Sequence, residues 1–302
     1  KLNMKRSLKD YIIISLKGMA MGAADVVPGV SGGTIAFISG IYEELLNSIS
    51  SFNFSLLKVF RKEGFKQVWK IVNGPFLLAL FIGISVSVLS LAKLIATLLE
   101  NHPIVIWSFF FGLVLASIIY IGKQITRWTI GSVLCLIFGG ILAFYITTLN
   151  PMVSENSSPW FLFLAGMIAI CAMILPGISG SFILVLLGAY KPVLNALNTK
   201  DFFSIIVFML GAVLGLLTFS RILKWLFFTY KNYTLATLTG FIIGSLNKIW
   251  PWQEIISWRT NSKGVEVPFN TTSVSPLMMA ILLAIIGFGL ILLLEKLAVK
   301  KD

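Results

Sequence analysis

The groups in this chain best suited to chemistry gather around two Pro-Gly breaks, Pro28-Gly29-Val30-Ser31-Gly32-Gly33-Thr34 and Pro176-Gly177-Ile178-Ser179-Gly180-Ser181. Proline removes an N–H and clashes with the preceding turn, and glycine readily takes positive φ, so a helix ends at each break. The next helix restarts at Ser31 or Ser179, whose hydroxyl can cap backbone N–H groups that lack a partner. Free N–H groups, a positive half-helix end and the hydroxyls of Ser31, Thr34, Ser179 and Ser181, with Gly32, Gly33 and Gly180 between them, suit a phosphate or a carboxylate. The plainer alternative is close helix packing through small residues. Packing alone would not need the break at matching positions.

Ionisable residues near these breaks are the next candidates, because a charge inside a membrane span is costly and defaults to function. Asp25 stands three residues before Pro28, and its counterpart in the second copy is Met173. A carboxylate there could take up H+ or Na+ and offset the charge of an anionic substrate; a structural Asp bonded to backbone is the alternative. Glu43 is a second coupling candidate, with solvation at the interface as its alternative. Arg221 is a candidate phosphate ligand, as are Lys224 and Lys17, unless they snorkel to lipid headgroups. His102, the single histidine, sits in a short loop and is assigned nothing. Cys135 and Cys171 lie in apolar stretches without metal-type spacing, so no metal, cofactor or disulfide is expected. A lipid-phosphate enzyme would need a nucleophile with acid and base partners or an acidic metal cluster, and the chain offers neither.

The elements that position these residues are membrane helices. Hydrophobic residues make up 57% of the 302 and charged residues 12%, with a mean hydropathy of +0.93, against roughly a quarter charged in soluble proteins. Apolar runs of spanning length recur throughout. The net charge of +12 is scattered over the loops between them, which argues against nucleic acid. The N-terminal Lys1, Lys5, Arg6 and Lys9 have some flavour of a signal peptide, but Lys17 interrupts the apolar run, so this end is read as mature protein.

Taken in order, residues 11–49 form a broken hairpin with two arms of about one short span each. Residues 52–72 mix aromatic and basic residues as in an amphipathic interfacial helix, with a solvated loop as the alternative. Spans follow at about 75–99, 103–122 and 128–149. A second broken hairpin occupies 160–198, followed by spans at about 202–228, 233–249 and 275–297. Gly18, Met19, Pro28, Gly29, Ser31, Gly32, Gly40, Tyr42 and Asn47 recur 148 positions later as Gly166, Met167, Pro176, Gly177, Ser179, Gly180, Gly188, Tyr190 and Asn195. The chain therefore reads as two repeats, 1–150 and 151–302. Whether each hairpin is re-entrant or spanning, the unit crosses the membrane an odd number of times, so the repeats are inverted, a common plan of secondary transporters. Basic segments at 1–10, 58–70, 123–127, 221–231 and 296–301 place both termini inside. The fold expected is an all-α polytopic inverted repeat, each half a broken, re-entrant hairpin plus three spans.

The segments Asp25 to Thr34, Leu175 to Ser181 and Gly244-Ser245-Leu246-Asn247-Lys248-Ile249-Trp250-Pro251-Trp252 together resemble the PopT family of bacterial polyprenyl-phosphate transporters, over nearly the whole chain. The resemblance implies a multi-pass protein of the bacterial cytoplasmic membrane that returns undecaprenyl phosphate, the lipid carrier of cell-wall synthesis, from the outer to the cytoplasmic leaflet. The family's paired motifs fall on Asp25 to Thr34 and Pro176 to Ser181. The second has Ser181 where the first has Gly33, which leaves the symmetry of the tips open. A transporter of a small soluble anion is the rival. Coupling ion, prenyl length, direction and a homodimer stay open.

Overall fold

The computed structural model describes residues 6–27, 30–151, 158–252, 258–260, 266–268 and 277–299. Pro28 and Gly29, the first break itself, lie outside the described residues. Helix α1 (Leu8–Val26) starts at a capping box in which Asp10 N–H donates to Ser7 Oγ and Ser7 N–H donates to Asp10 Oδ2. It ends where Val27 turns extended, the conformation imposed on a residue before proline. Ser31 then caps α2 (Gly32–Ile38), Gly40 takes φ 72°, and α3 (Tyr42–Ser50) follows. The second hairpin repeats the pattern as α8 (Pro159–Ile174), α9 (Gly180–Leu186) and α10 (Tyr190–Asn198), with Gly188 also at φ 72° and a bend of 105° between α9 and α10.

The return arm of each hairpin thus differs from the single short span expected. A positive φ breaks each arm after seven residues, about 10 Å of helix against a hydrocarbon core of about 30 Å.

The segment read as amphipathic forms α4 (Ser55–Ile71), kinked at Gly64 (φ 76°) and burying no residue. Next come α5 (Gly74–Asn101), α6 (Pro103–Lys123) and α7 (Ile130–Thr148); after the second hairpin come α11 (Phe202–Thr229), α12 (Lys231–Gly244) and α13 (Leu277–Val299). Four of these, α5, α6, α7 and α11, are long and apolar enough to cross a bilayer, and the bent α9–α10 pair is a candidate fifth. Helix α12 is shorter than the span expected at 233–249: it stops at Gly244 and continues as a 3-10 turn, Leu246–Ile249, ahead of Pro251. Outside the helices, β1 (Trp258–Thr260) pairs antiparallel with β2 (Glu266–Pro268), a small element that an all-helical expectation did not include.

Packing follows the duplication. Helix α1 lies against α5 and α8 against α11, while the remaining helices cross between the repeats, α6 on α13 and α7 on α12. The close approaches are made at matched positions. A Cβ on Gly112 of α6 would overlap the Ala284 carbonyl, and one on Gly240 of α12 would overlap that of Leu136. Gly240 is 128 residues after Gly112, and Ala284 is 148 after Leu136. These are the same two offsets that relate α5 to α11 and α2 to α9.

Candidate functional site

The two hairpins meet beside their breaks. A helix leaves its last carbonyls without intrahelical partners, and the end of α8 finds them in the first hairpin. Ser31 Oγ donates to the Met173 carbonyl at 3.0 Å, with that of Leu175 at 3.3 Å, and Tyr42 Oη donates to Ile174 O at 3.1 Å. In return Gly177 N–H donates to Thr34 Oγ1 at 3.0 Å. Ser31 Oγ also accepts the Gly33 N–H at 3.1 Å, and Asp25 Oδ1 accepts that of Gly32 at 2.7 Å. A carboxylate therefore sits at the start of α2 where an external anion was expected.

This arrangement differs from two tips open to a shared ligand. The first-tip groups Ser31, Gly32, Gly33 and Thr34 are buried and hold protein partners, and a Cβ on Gly33 would run into the Ile174 and Met173 carbonyls. At the second tip Gly180 is buried, Ser181 is exposed, and the Ser179 and Ser181 hydroxyls lie 2.7 Å apart. Pro176 and Gly177 form the second break, Gly177 with φ 87° and tight against Phe241 and Ser245.

The hairpins are alike in sequence and unlike in surroundings. All seven residues of α2 are buried, but in α9 only Gly180 and Ile183 are. Tyr42 is 2% exposed and its repeat counterpart Tyr190 44%. Helix α3 packs against α11, whereas α10 makes no comparable packing against α5.

Arg221 stands away from the tips. With Lys224, Lys231, Glu43, Asn47 and Ser50 it lines a cavity of about 610 Å³ between α3 and the end of α11, where Leu46 and Phe227 are buried and Trp225 and Phe228 exposed. Lys231 Nζ lies 2.8 Å from Glu43 Oε1, and Arg221 Nη2 donates to the Phe52 carbonyl at 2.5 Å. Glu43, expected as a coupling group, is thus at the cavity and Asp25 at the hairpin break. Three cations against one carboxylate favour an anion here. Lys231 was not singled out from sequence because it reads as a loop charge; the signal was the Arg221/Lys224 spacing of three, one face of a helix, running towards it.

On the opposite face of α11 lies a second cavity of about 500 Å³, lined by Phe219, Leu223, Leu226, Leu175, Leu238 and Phe241 among others and almost wholly apolar. No three His, Cys, Asp or Glu side chains converge as a metal site among the described residues.

Comparison with known proteins gives this geometry a context. A polyprenyl-phosphate transporter of Vibrio cholerae is 50% identical over 303 residues, covering 96% of this chain and 98% of its own length. A polyprenyl-phosphate transporter of Staphylococcus aureus is 31% identical over 262 residues, 80% of this chain and 88% of its own. No solved structure matches. Both relatives are named as transporters, which supports a protein that is not an enzyme, and the apolar helices make it a multi-pass membrane protein. Residues 21–267 match the family described as VCA0040-like, undecaprenyl phosphate translocase-like, and the chain belongs to that family of polyprenyl-phosphate transporters.

Proposed function

We propose that this protein carries undecaprenyl phosphate from the outer to the cytoplasmic leaflet of the bacterial cytoplasmic membrane by alternating access. The observation that carries the reading is the basic cavity at Arg221, Lys224 and Lys231, which the exposed Trp225 and Phe228 border. The phosphate is the one part of this lipid that hydrocarbon excludes, while a prenyl tail can stay in the bilayer or lie in an apolar groove such as the one across α11.

The machine is two inverted repeats, 1–150 and 151–302, with re-entrant hairpins and both termini inside. Three features support it: the matched close approaches between repeats, return arms that are each broken after seven residues, and basic residues in alternate connecting segments of the sequence. The unlike surroundings of the two hairpins correspond to one conformer, latched on the face where α3 meets α11. Exchange of roles between the halves opens that face and closes the other. Helix α4 lies on the cytoplasmic leaflet, its Lys and Arg side chains against anionic headgroups and Phe60 and Phe65 in the acyl boundary.

In this scheme the tips are the moving joint. Ser31, Thr34, Ser179 and Ser181 reach the phosphate as the hairpins part, and Asp25 takes up a cation when Gly32 N–H turns from it to the substrate. A soluble anion would not require the exposed aromatic residues at the cavity, of which Phe228 is 92% exposed.

The test is transbilayer movement of undecaprenyl phosphate in vesicles holding the purified protein, under imposed pH or Na+ gradients, for the wild type and Asp25→Asn. Movement that follows a gradient and is lost in the variant is the expected result. No movement under any gradient, by protein shown to be folded, overturns the proposal.

A further inference from the structure

Helix α3 carries two adjacent carboxylates that point to different halves of the molecule. Glu44 receives both Arg6 guanidinium nitrogens, at 2.6 and 2.7 Å, and Asn73 Nδ2 at 2.6 Å. Arg6 precedes α1 and Asn73 precedes α5, so Glu44 ties α3 to its own repeat. Glu43 reaches across to Lys231, at the start of α12 in the other repeat, and both side chains are more than half exposed. A pair this open is weak, because solvent screens it. A phosphate monoester brings close to two negative charges and several acceptor oxygens, enough to displace a single carboxylate from Lys231 while Arg221 and Lys224 hold the same group.

The repeat relation adds a second observation. Position 43 falls on Lys191 in the second half, 148 residues later, and Arg221 falls on Lys93 in the first, 128 residues earlier. Both lysines are exposed. The face that mirrors the basic cavity therefore presents a cation where the cavity presents Glu43, while Lys224, Phe228 and Lys231 fall on Ala96, Glu100 and Pro103. Duplication has been broken at this position by a change of charge sign.

Resting on the lipid-phosphate reading above, we propose that Glu43 is a tethered anion that competes with the phosphate headgroup for Lys231 and makes the α3–α11 face the releasing face of the transporter. The mirrored face, with Lys191 and Lys93 and no carboxylate at that position, is the receiving one. A difference in affinity between faces does not by itself accumulate substrate. It lets the headgroup leave quickly on one side once a gradient, or consumption of the lipid, pulls it there. As the headgroup departs, Glu43 returns to Lys231 and closes the latch across the halves.

The experiment measures binding of a ten-carbon prenyl phosphate to the full-length protein in detergent, for the wild type, Glu43→Gln and Lys231→Gln, with inorganic phosphate as competitor. The competing anion predicts opposite signs: Glu43→Gln binds about 1.4- to fivefold tighter, the factor that corresponds to the roughly 0.2–1 kcal/mol of an exposed pair, and Lys231→Gln binds weaker. A merely structural latch is broken equally by either substitution and moves both variants the same way; that result, or unchanged affinity in Glu43→Gln, overturns the proposal. Inorganic phosphate competing as well as the prenyl phosphate, with the opposite signs retained, upholds the role of Glu43 and overturns the lipid reading instead. A wild type that binds neither probe overturns both.

Discussion

Tyr42→Phe isolates one hydrogen bond that, on the proposed exchange of roles between the halves, belongs to a single conformer. The Tyr42 ring lies 4.9 Å from that of Phe37 and 5.7 Å from that of Phe227, contacts that Phe retains, and only the Oη bond to Ile174 O at 3.1 Å is lost. The ring is 2% exposed, and a buried acceptor left unpaired costs about 1–3 kcal/mol. Ile174 is the last residue of α8, so its carbonyl has no helical partner to fall back on. The proposed exchanged conformer puts Tyr42 in the open position that Tyr190 holds here, with its hydroxyl in solvent. On that scheme the substitution weakens the latched state alone, and about 1–2 kcal/mol, the lower part of this range, is a factor of roughly 5–30 in the balance between states. The assay is the labelling rate of Ser50→Cys, which lines the cavity at 8% exposure, by an impermeant maleimide in a background of Cys135→Ser and Cys171→Ser. Adding Tyr42→Phe should raise that rate about 5–30-fold. An unchanged rate together with a lower melting temperature would mean that the bond stabilises the fold in every conformer, and the reasoning would fail.

Two further outcomes are expected. Gly112→Ala and Gly240→Ala each force a methyl into a carbonyl of the facing helix, Ala284 or Leu136, at about 1–3 kcal/mol or more of overpacking; equal losses of thermal stability are predicted, and a loss confined to one of them would count against equivalent interfaces. A spin label at Phe60→Cys on α4 should be reached by oxygen from the membrane in preference to an aqueous nickel chelate, and replacing Lys58, Arg61, Lys62 and Lys66 by Gln should reverse that preference in anionic but not in neutral lipid; aqueous exposure from the outset would make α4 a solvated helix.

Much of the architecture was legible because a duplicated sequence states its elements twice. Gly40 and Gly188 were visible as a matched pair, yet each return arm read as one piece: glycine is tolerated inside membrane helices, and only coordinates reveal a φ of 72°. The tips were legible as clusters of donors and hydroxyls. That they grip one another could not be read, because the partners of Ser31, Tyr42 and Thr34 are main-chain atoms of α8 and Gly177, and a backbone carbonyl leaves no mark in a sequence. Arg221 was identified by type, but its neighbours Glu43 and Lys231 are 178 and 10 residues away, brought together by a packing that hydropathy does not encode. The pair β1–β2 was missed because three-residue strands carry too little alternation to register.

The most direct test of the central claim labels the two faces in one experiment. Ser50→Cys reports the α3–α11 face, and Asn198→Cys, 148 residues on, reports its mirror; Asn198 is exposed and Ser50 buried in the latched conformer. Undecaprenyl phosphate added to vesicles should raise labelling at one site and lower it at the other, and inorganic phosphate should do neither. Labelling that changes in the same direction at both sites, or at neither with saturating lipid phosphate, would contradict a transporter that works by exchanging the roles of its halves.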